Sequence, residues 1–153
     1  MSLDCAAEEI AEQVLFESGK ALASGDFGRF ASHFCFPCVI ETADSRTVIR
    51  HPGVLRGMFD DMQRYYRQMQ VIDMVRTVVD ARFLDSDTVG ATHVTSMVHA
   101  DGVSRRKPYP IYSVIRRQDP LDWKFQSSLY IILDCETHNA MLAPTTRSSE
   151  MSW

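Results

Sequence analysis

The sequence lacks two features that mark common functional classes, a membrane-spanning apolar run and an excess of positive charge. No apolar run approaches the roughly 20 residues that a membrane-spanning helix needs, so we expect no membrane partner. There is no excess of positive charge, because 16 Lys and Arg stand against 20 Asp and Glu, and the net charge of -4 argues against a nucleic-acid partner. The basic run at residues 105–107 is short, and we expect it in a solvated loop.

The sequence also shows no targeting signal and contains few cysteines. The N-terminus is acidic and has no basic segment before an apolar stretch, so we expect no signal peptide, a cytoplasmic location and four reduced cysteines. Cys35 and Cys38 form a C-x-x-C, but the pair follows a predicted helix instead of opening one, which argues against redox chemistry. A zinc site would need them to meet the distant Cys135 and His138. We expect buried, inert thiols, no metal and no cofactor.

Hydrophobic periodicity divides the chain into a helical first half and a second half of strands. Helices are predicted at residues 6–24, 27–34 and 52–69, with a hairpin of two short strands at 38–42 and 46–50 between the last two. Four longer strands are predicted at 75–83, 89–100, 111–117 and 121–134. This order fits a single domain over residues 1–135, followed by a polar tail at 136–153.

The last strand has the clearest pattern in the chain. Its first half alternates between two sets of side chains, Trp123, Phe125, Ser127 and Leu129 on one face and Lys124, Gln126 and Ser128 on the other. Residues 130–133 are then apolar on both faces, which predicts cover on both sides. We expect the first half to line the inside of a curved sheet and the second half to contact a second copy of the protein.

Helices gathered on one side of a mainly antiparallel sheet make an α+β fold. We expect a cone-shaped roll in which three N-terminal helices pack on a curved sheet. A helix laid into the concave side of such a sheet leaves a hole, and holes of this kind commonly bind ligands. The expected partner is therefore a small apolar or amphipathic molecule.

Three short motifs give this order a family resemblance. Ser24-Gly25-Asp26-Phe27 lies between the first two helices, and Phe36-Pro37 opens the first strand. Near the end, a strand closing in Arg116-Arg117 leads through an acidic turn to Asp122-Trp123-Lys124-Phe125. In these respects the chain resembles the nuclear-transport-factor-2-like superfamily, and most closely its SnoaL-like bacterial members. The resemblance implies a cystatin-like roll. It leaves the activity open, because members include isomerases, dehydratases, epoxide hydrolases, polyketide cyclases and plain binding or dimerisation modules.

The resemblance points first to Glu41 as a candidate general base. Ketosteroid isomerases of the superfamily use a carboxylate in the first strand after the second helix, and Glu41 falls at about that position. An apolar environment would raise the pKa of such a carboxylate and make it a better base. In this sequence the positions of the two oxyanion donors of those isomerases correspond to Ser18 and, approximately, to Ser113. Both donors are therefore missing. The alternative is that Glu41 is a solvated residue of the hairpin.

His93 is the second candidate for acid–base chemistry. The alternation of its strand places it inward with Ala91, Thr95 and Met97, where a near-neutral pKa suits proton transfer or a hydrogen bond to a ligand. The alternatives are a core histidine bonded to a neighbour, or a register shift of one residue that turns the ring to solvent. His99 shares this parity but lies near the strand end, where we expect solvent.

Apolar and small polar side chains are expected to wall the pocket. The predicted lining is Phe16, Phe34, Phe59, Met62, Tyr66, Val79, Thr95, Ser113 and Ser127. At helical spacing the aromatic residues among them could equally be solid core. Of the adjacent Arg116 and Arg117, at most one can point inward at the mouth of the cone, where it could meet an acidic ligand.

Two functions stay open at this point. The first is a small-molecule binding protein, with or without acid–base catalysis of the isomerase, dehydratase or cyclase type by Glu41 or His93. The second is a non-catalytic homodimeric module that associates through the outer face of the sheet. No motif is specific to one reaction, so the sequence does not decide whether the protein is an enzyme.

Overall fold

The structure, a computed structural model, describes residues 3–102 and 109–130 of the chain. Its elements in chain order are α1 (Leu3–Ser24), α2 (Phe27–Ala31), β1 (Phe34–Glu41), β2 (Arg46–Ile49), α3 (Pro52–Gln68), β3 (Val71–Asp85), β4 (Thr88–His99), β5 (Tyr109–Asp119) and β6 (Asp122–Tyr130). The predicted order is confirmed. The basic run at 105–107, the apolar residues 131–133, Cys135, His138 and the tail at 136–153 lie outside the described residues.

The six strands form one sheet in the order β2-β1-β6-β5-β4-β3. All neighbours are antiparallel except β1 and β6, which run parallel. Because β2 and β3 are the two edge strands, α3 must carry the chain across the sheet. Its 17 residues give about 26 Å of helix, and six strands are about 24 Å wide. The α+β fold with helices on one face of a mainly antiparallel sheet is therefore confirmed.

The core lies between this sheet and the helices. The buried stripe of α3 is Leu55, Met58, Phe59, Met62 and Tyr66, at the three- and four-residue spacing of one helix face. On β4, fully buried residues alternate with partly exposed ones from Ala91 to His99, so one face of this strand meets the helices. No helix among the described residues is both long and apolar enough to span a membrane.

The second helix is shorter than the predicted 27–34. Asp26 caps it as expected, since its Oδ1 accepts a hydrogen bond from the Arg29 amide at 3.1 Å. The helix ends at Ala31 because strand pairing takes over: the amide of Phe125 donates to the His33 carbonyl at 2.7 Å, and Phe34 pairs with Phe125. Tertiary pairing with β6 thus overrides the local helical pattern.

A register shift in β6 makes the predicted alternation of the last strand wrong beyond Phe125. The pairing with β5 shifts between Phe125 and Ser127. Phe125 and Ser128 are buried, whereas Leu129 is exposed and Ser127 shares its outward parity. A bulge inserts one residue, and each later side chain then faces the other way from a regular alternation. Ser127 therefore does not line the interior.

A similar shift corrects the prediction for β3. Its pairing with β4 shifts between Val78 and Asp80, and from Asp73 to this shift the partly buried residues are Met74, Arg76 and Val78. Val79 is 59% exposed at the bulge, so its predicted place in the pocket is wrong. The consequence for the interior is large, because an arginine takes the inward position that the prediction gave to apolar residues.

Candidate ligand-binding site

The concave side of the sheet is mostly filled by side chains. Neighbouring aromatic rings pack with centroids 4.9 to 5.4 Å apart in a cluster that we call the aromatic end, which consists of Phe27, Phe30, Phe34, Phe59 and Phe125. The internal cavity that remains measures about 30 Å³, which is room for one or two water molecules. This cavity is too small for the ligand-sized apolar pocket that the sequence predicts inside the sheet.

A larger space lies between α1 and the edge strand β3. This groove measures about 670 Å³ and is lined by Leu15, Phe16 and Gly19 from the helix and by Met74 and Arg76 from the strand, among others. Its volume falls within the range of ordinary small-molecule sites. Leu15 and Arg76 also line the internal cavity, so these two side chains form a shared wall between groove and cavity.

Arg76 ties β3 to α1 at this wall. Its Nη1 donates to the Leu15 carbonyl at 3.3 Å and to the Ser18 hydroxyl at 3.0 Å. Its Cδ would lie 3.6 Å from a Cβ built on Gly19, so the stem of the arginine packs against the bare backbone of the helix. The Nε is buried without a hydrogen-bond partner, and no ion pair of the described residues includes Arg76.

His93 lies on the inner face of β4, between Val78 of β3 and Ile111 of β5. It is 2% exposed, lines the internal cavity, and has no partner for either ring nitrogen among the described residues. Burial, and secondly the charge of Arg76, lower the pKa of His93 to about 3. The imidazole is therefore neutral at physiological pH and offers one N–H donor and one acceptor.

Small hydroxyl side chains continue the polar surface beside His93. Ser113 and Ser128 face each other across β5 and β6 with their hydroxyl oxygens 3.0 Å apart. Thr95 is 1% exposed, and its Oγ1 has no partner in the described part of the chain. Buried polar groups without partners are uncommon and costly, so the pair of His93 and Thr95 on the inner face of β4 calls for a functional explanation. We call Arg76, His93, Thr95, Ser113 and Ser128 the polar end.

Tyr66 of α3 borders this polar end. Burial, followed by the nearby Tyr109 and Tyr130, raises the pKa of its phenol well above the ordinary value of 10, while Arg76 opposes the rise. The hydroxyl therefore stays protonated. Tyr66 lines a cleft of about 100 Å³ next to the groove, which shares Asp73 and Met74 with it.

The structure places Glu41 away from the interior. Ile40 is buried, and Glu41 lies on the other face of β1, where its Oε1 is 3.6 Å from Nε of Arg46 across the hairpin. Its side chain is 45% exposed. The prediction of a desolvated general base at Glu41 is therefore wrong, and the solvated alternative describes the residue.

The remaining predicted lining residues divide into three groups. Phe34, Met62 and Ser113 line the internal cavity. Phe59 is packed into the aromatic end. Phe16 is 62% exposed on the rim of the groove, with Nζ of Lys20 4.8 Å from its ring centre.

Several other sequence expectations also change or stand. His99 is buried instead of solvated, because the turn after α3 brings the Met69 carbonyl within 2.6 Å of its Nδ1. Arg116 is exposed, and Arg117 pairs with Asp87 at 2.9 Å, so neither reaches the cavity.

Burial raises the pKa of Cys38 to about 12, which makes its thiol unreactive. Among the described residues no cluster of His, Cys, Asp and Glu has the geometry of a metal site.

Sequence reasoning missed Arg76, the one charged member of the polar end. The pattern contained a partial signal, since Arg76 shares a parity with Met74 and Val78. The opposite parity contains Val75 and Val79 and is more apolar, so periodicity alone favours it as the inward face. Only the pairing of β3 with β4 shows which parity faces α1.

The comparisons with known proteins concern the fold. No protein family model matches the sequence, and no curated protein matches it either. Similar solved structures exist at low identity. A domain of unknown function with a cystatin-like fold from Nostoc punctiforme is 14% identical, with a TM-score of 0.65 over 95% of this chain and 93% of that one.

Two further structures extend this likeness. A nuclear-transport-factor-2-like protein with a cystatin-like fold from Novosphingobium aromaticivorans is 14% identical, with a TM-score of 0.63 over 90% of each chain. A protein from Catenulispora acidiphila, solved in complex with S-DNPA, is 16% identical, with a TM-score of 0.60 over 83% of this chain and 92% of that one. At these identities the likeness concerns the fold, and function has to be argued from the site.

Proposed function

Because the chain has the nuclear-transport-factor-2-like, cystatin-like fold, we propose that it is a small-molecule binding protein for an apolar or amphipathic ligand. The proposed site is the groove between α1 and β3, together with the polar end behind it. One observation carries the proposal: a groove of about 670 Å³ shares the wall of Leu15 and Arg76 with a cavity whose buried His93 has no hydrogen-bond partner among the described residues.

The chemistry of the two spaces supports this assignment. Leu15, Ala23 and Met74 give the groove apolar surface, and the polar end supplies a few convergent hydrogen-bonding groups. This combination is typical of small-molecule sites. The Catenulispora protein of the same fold was solved in complex with S-DNPA, which supports ligand binding as a use of this architecture.

The site favours binding over acid–base catalysis. A general base works best with a pKa near the working pH, and the pKa of His93 is lowered to about 3. Neutral His93 is a weak base but a competent hydrogen-bond donor and acceptor. Glu41, the only carboxylate among the two catalytic candidates, lies on the outer face of the sheet and does not reach the cavity. We therefore assign His93 to holding a ligand.

The groove can be tested with the neutral apolar fluorophore N-phenyl-1-naphthylamine. Its fluorescence should rise on binding to the full-length protein. Gly19→Leu should weaken that binding about tenfold or more, because the added side chain fills the groove beside Arg76. Gly57→Leu is the matched control, since Gly57 is also helical but a Cβ there meets nothing within 4 Å. Absence of binding, or equal binding by the Gly19 and Gly57 variants, would refute the proposal.

We also propose that two copies associate through the outer face of the sheet. Tyr112 pairs with Leu129 on that face, and Leu129 is 38% exposed. The side chain of Leu84 lies against the same surface at Gly90. Apolar side chains that form a continuous exposed patch commonly mark an interface.

Sedimentation velocity at micromolar concentration tests the association. The wild type should sediment as a dimer, and Leu129→Asp should sediment as a monomer because it places a charge in the interface. Leu121→Asp is the control, since Leu121 is 97% exposed in the turn before β6. A monomeric wild type would contradict the proposed dimer and leave the groove untouched.

A further inference from the structure

We propose that the ligand of the groove is a monocarboxylate and that Arg76 is its counter-ion. This inference rests on the proposed function, because it names the charge of the ligand for the same site. The head group of an amphipathic ligand would then bind at the wall between groove and cavity.

The first argument is the unpaired charge of Arg76. A guanidinium stays protonated in proteins, and buried charges are normally paired. The hydrogen bonds of Arg76 to described residues use only Nη1 and go to neutral acceptors, the Leu15 carbonyl and the Ser18 hydroxyl. Four exposed arginines of the same chain have carboxylate partners, namely Arg46, Arg56, Arg64 and Arg82, and others such as Arg50 and Arg67 have none among the described residues but are exposed to solvent. Arg76 is half-buried and its Nε is shielded from water, so it has more need of a counter-ion than an exposed arginine, and the described part of the chain gives it none.

The second argument is the charge of the groove itself. Its lining contains three cations, Lys20, Arg29 and Arg76, against two carboxylates, Glu12 and Asp73. Nζ of Lys20 lies over the Phe16 ring at 4.8 Å. A ligand with one negative charge balances this set, whereas a cationic ligand would increase the excess.

The third argument is the placement of apolar and neutral polar groups on either side of Arg76. Leu15, Ala23 and Met74 lie along the groove and suit an apolar tail. His93 lies behind the wall with an N–H donor that has no partner among the described residues. A carboxylate at the wall would accept hydrogen bonds from the guanidinium, which are stronger than bonds between neutral groups.

Calorimetric titration of the full-length protein with octanoate and octanol tests the inference. The two probes share a tail and differ in the head group. Octanoate should bind about tenfold or more tightly than octanol, the preference expected for a hydrogen-bonded charge. Arg76→Gln should reduce this preference to less than about twofold, and Arg76→Lys should keep part of it as a point charge. Arg82→Gln is the control on the same strand, since Arg82 is exposed and pairs with Asp80.

The possible failures are distinguishable. Equal binding of octanoate and octanol by the wild type overturns the anion site and leaves the proposed function standing. If neither octanoate nor octanol binds while N-phenyl-1-naphthylamine still binds in the groove, the anion site is likewise overturned and the proposed function stands. Failure of all three molecules contradicts the proposed function itself. If Arg76→Gln does not fold, the wild-type preference and the Arg76→Lys variant decide the question.

Discussion

The aromatic end and the polar end lie on the concave side of one sheet and differ in how far their side chains are satisfied. At the aromatic end each ring packs on another, as Phe59 does on both Phe27 and Phe30. At the polar end His93 and Thr95 are buried with no hydrogen-bond partners among the described residues. The difference indicates a division of roles: close packing stabilises the fold, whereas unsatisfied polar groups are retained where a ligand uses them.

The largest expected effect comes from breaking the aromatic end. Phe59→Ala should lower the free energy of unfolding by about 3 to 5 kcal/mol, because it removes a buried ring and leaves a cavity. Denaturant unfolding followed by circular dichroism measures the loss. Phe16→Ala is the control on the groove rim and should cost less than about 0.5 kcal/mol, since the Phe16 ring is exposed. Similar losses for the two variants would contradict the division between the ends.

The polar end should make stability fall as the pH falls. The pKa of His93 is about 3 in the folded protein, against an ordinary value of 6.5. Below pH 6.5 the unfolded chain therefore binds a proton at His93 that the folded protein does not bind. The free energy of unfolding should therefore decrease by about 2 kcal/mol between pH 7.5 and pH 5. Burial also lowers the pKa of His33, which adds a change of the same sign.

The contribution of His93 can be isolated by substitution. His93→Gln removes the titrating group and keeps a donor and an acceptor, so its stability should vary less over the same pH interval. Unfolding curves of both proteins at pH 7.5 and pH 5 provide the measurement. Parallel pH dependence in the two proteins would show that His93 is not held neutral by its surroundings.

A smaller effect is expected at the serine pair of the polar end. Ser113→Ala should cost about 1 kcal/mol, because it leaves the buried Ser128 hydroxyl without its partner at 3.0 Å. The double variant with Ser128→Ala should cost no more than the single one, since both polar groups are then gone. A double-mutant cycle from denaturant unfolding measures this coupling. Additive losses would mean that the two hydroxyls do not depend on each other.

The smallest expected effect has the opposite sign. Gly19→Ala should raise the free energy of unfolding by about 0.5 to 1 kcal/mol, because glycine is a poor residue inside a helix and the added Cβ meets Arg76 only at an ordinary contact distance. Gly57→Ala should give a similar gain on α3. A gain at Gly57 but a loss at Gly19 in thermal unfolding would show that the arginine needs the bare backbone.

Elements whose pattern is set by near neighbours in sequence were predictable. The stripe of α3 follows from the spacing of Leu55, Met58, Phe59, Met62 and Tyr66, and the Asp26 cap follows from the chemistry of a helix start. On β4 the regular alternation predicted which side chains point toward the helices along the strand. In each case the deciding contacts are local, so the sequence alone contains them.

Predictions failed where a distant strand decides the outcome. Phe34 continues the helical pattern of α2 but pairs with Phe125, about ninety residues away in the chain. Val79 and Ser127 have the parity of the core in the sequence and lie outside it because a bulge shifts the register next to each. A single inserted residue leaves composition and periodicity almost unchanged and reverses which side chains face the interior.

The amino-acid sequence by itself determined the order of helices and strands, the α+β class and the apolar stripe that holds α3 to the sheet, since these depend on periodicity over a few turns or a few strand residues. Only the tertiary structure decided that Arg76 faces inward, that Glu41 faces outward, and that a ligand-sized space lies between α1 and β3 while the cavity inside the roll is small. The physical reason is that facing depends on the register between strands, and free volume depends on how side chains from distant elements fill the interior.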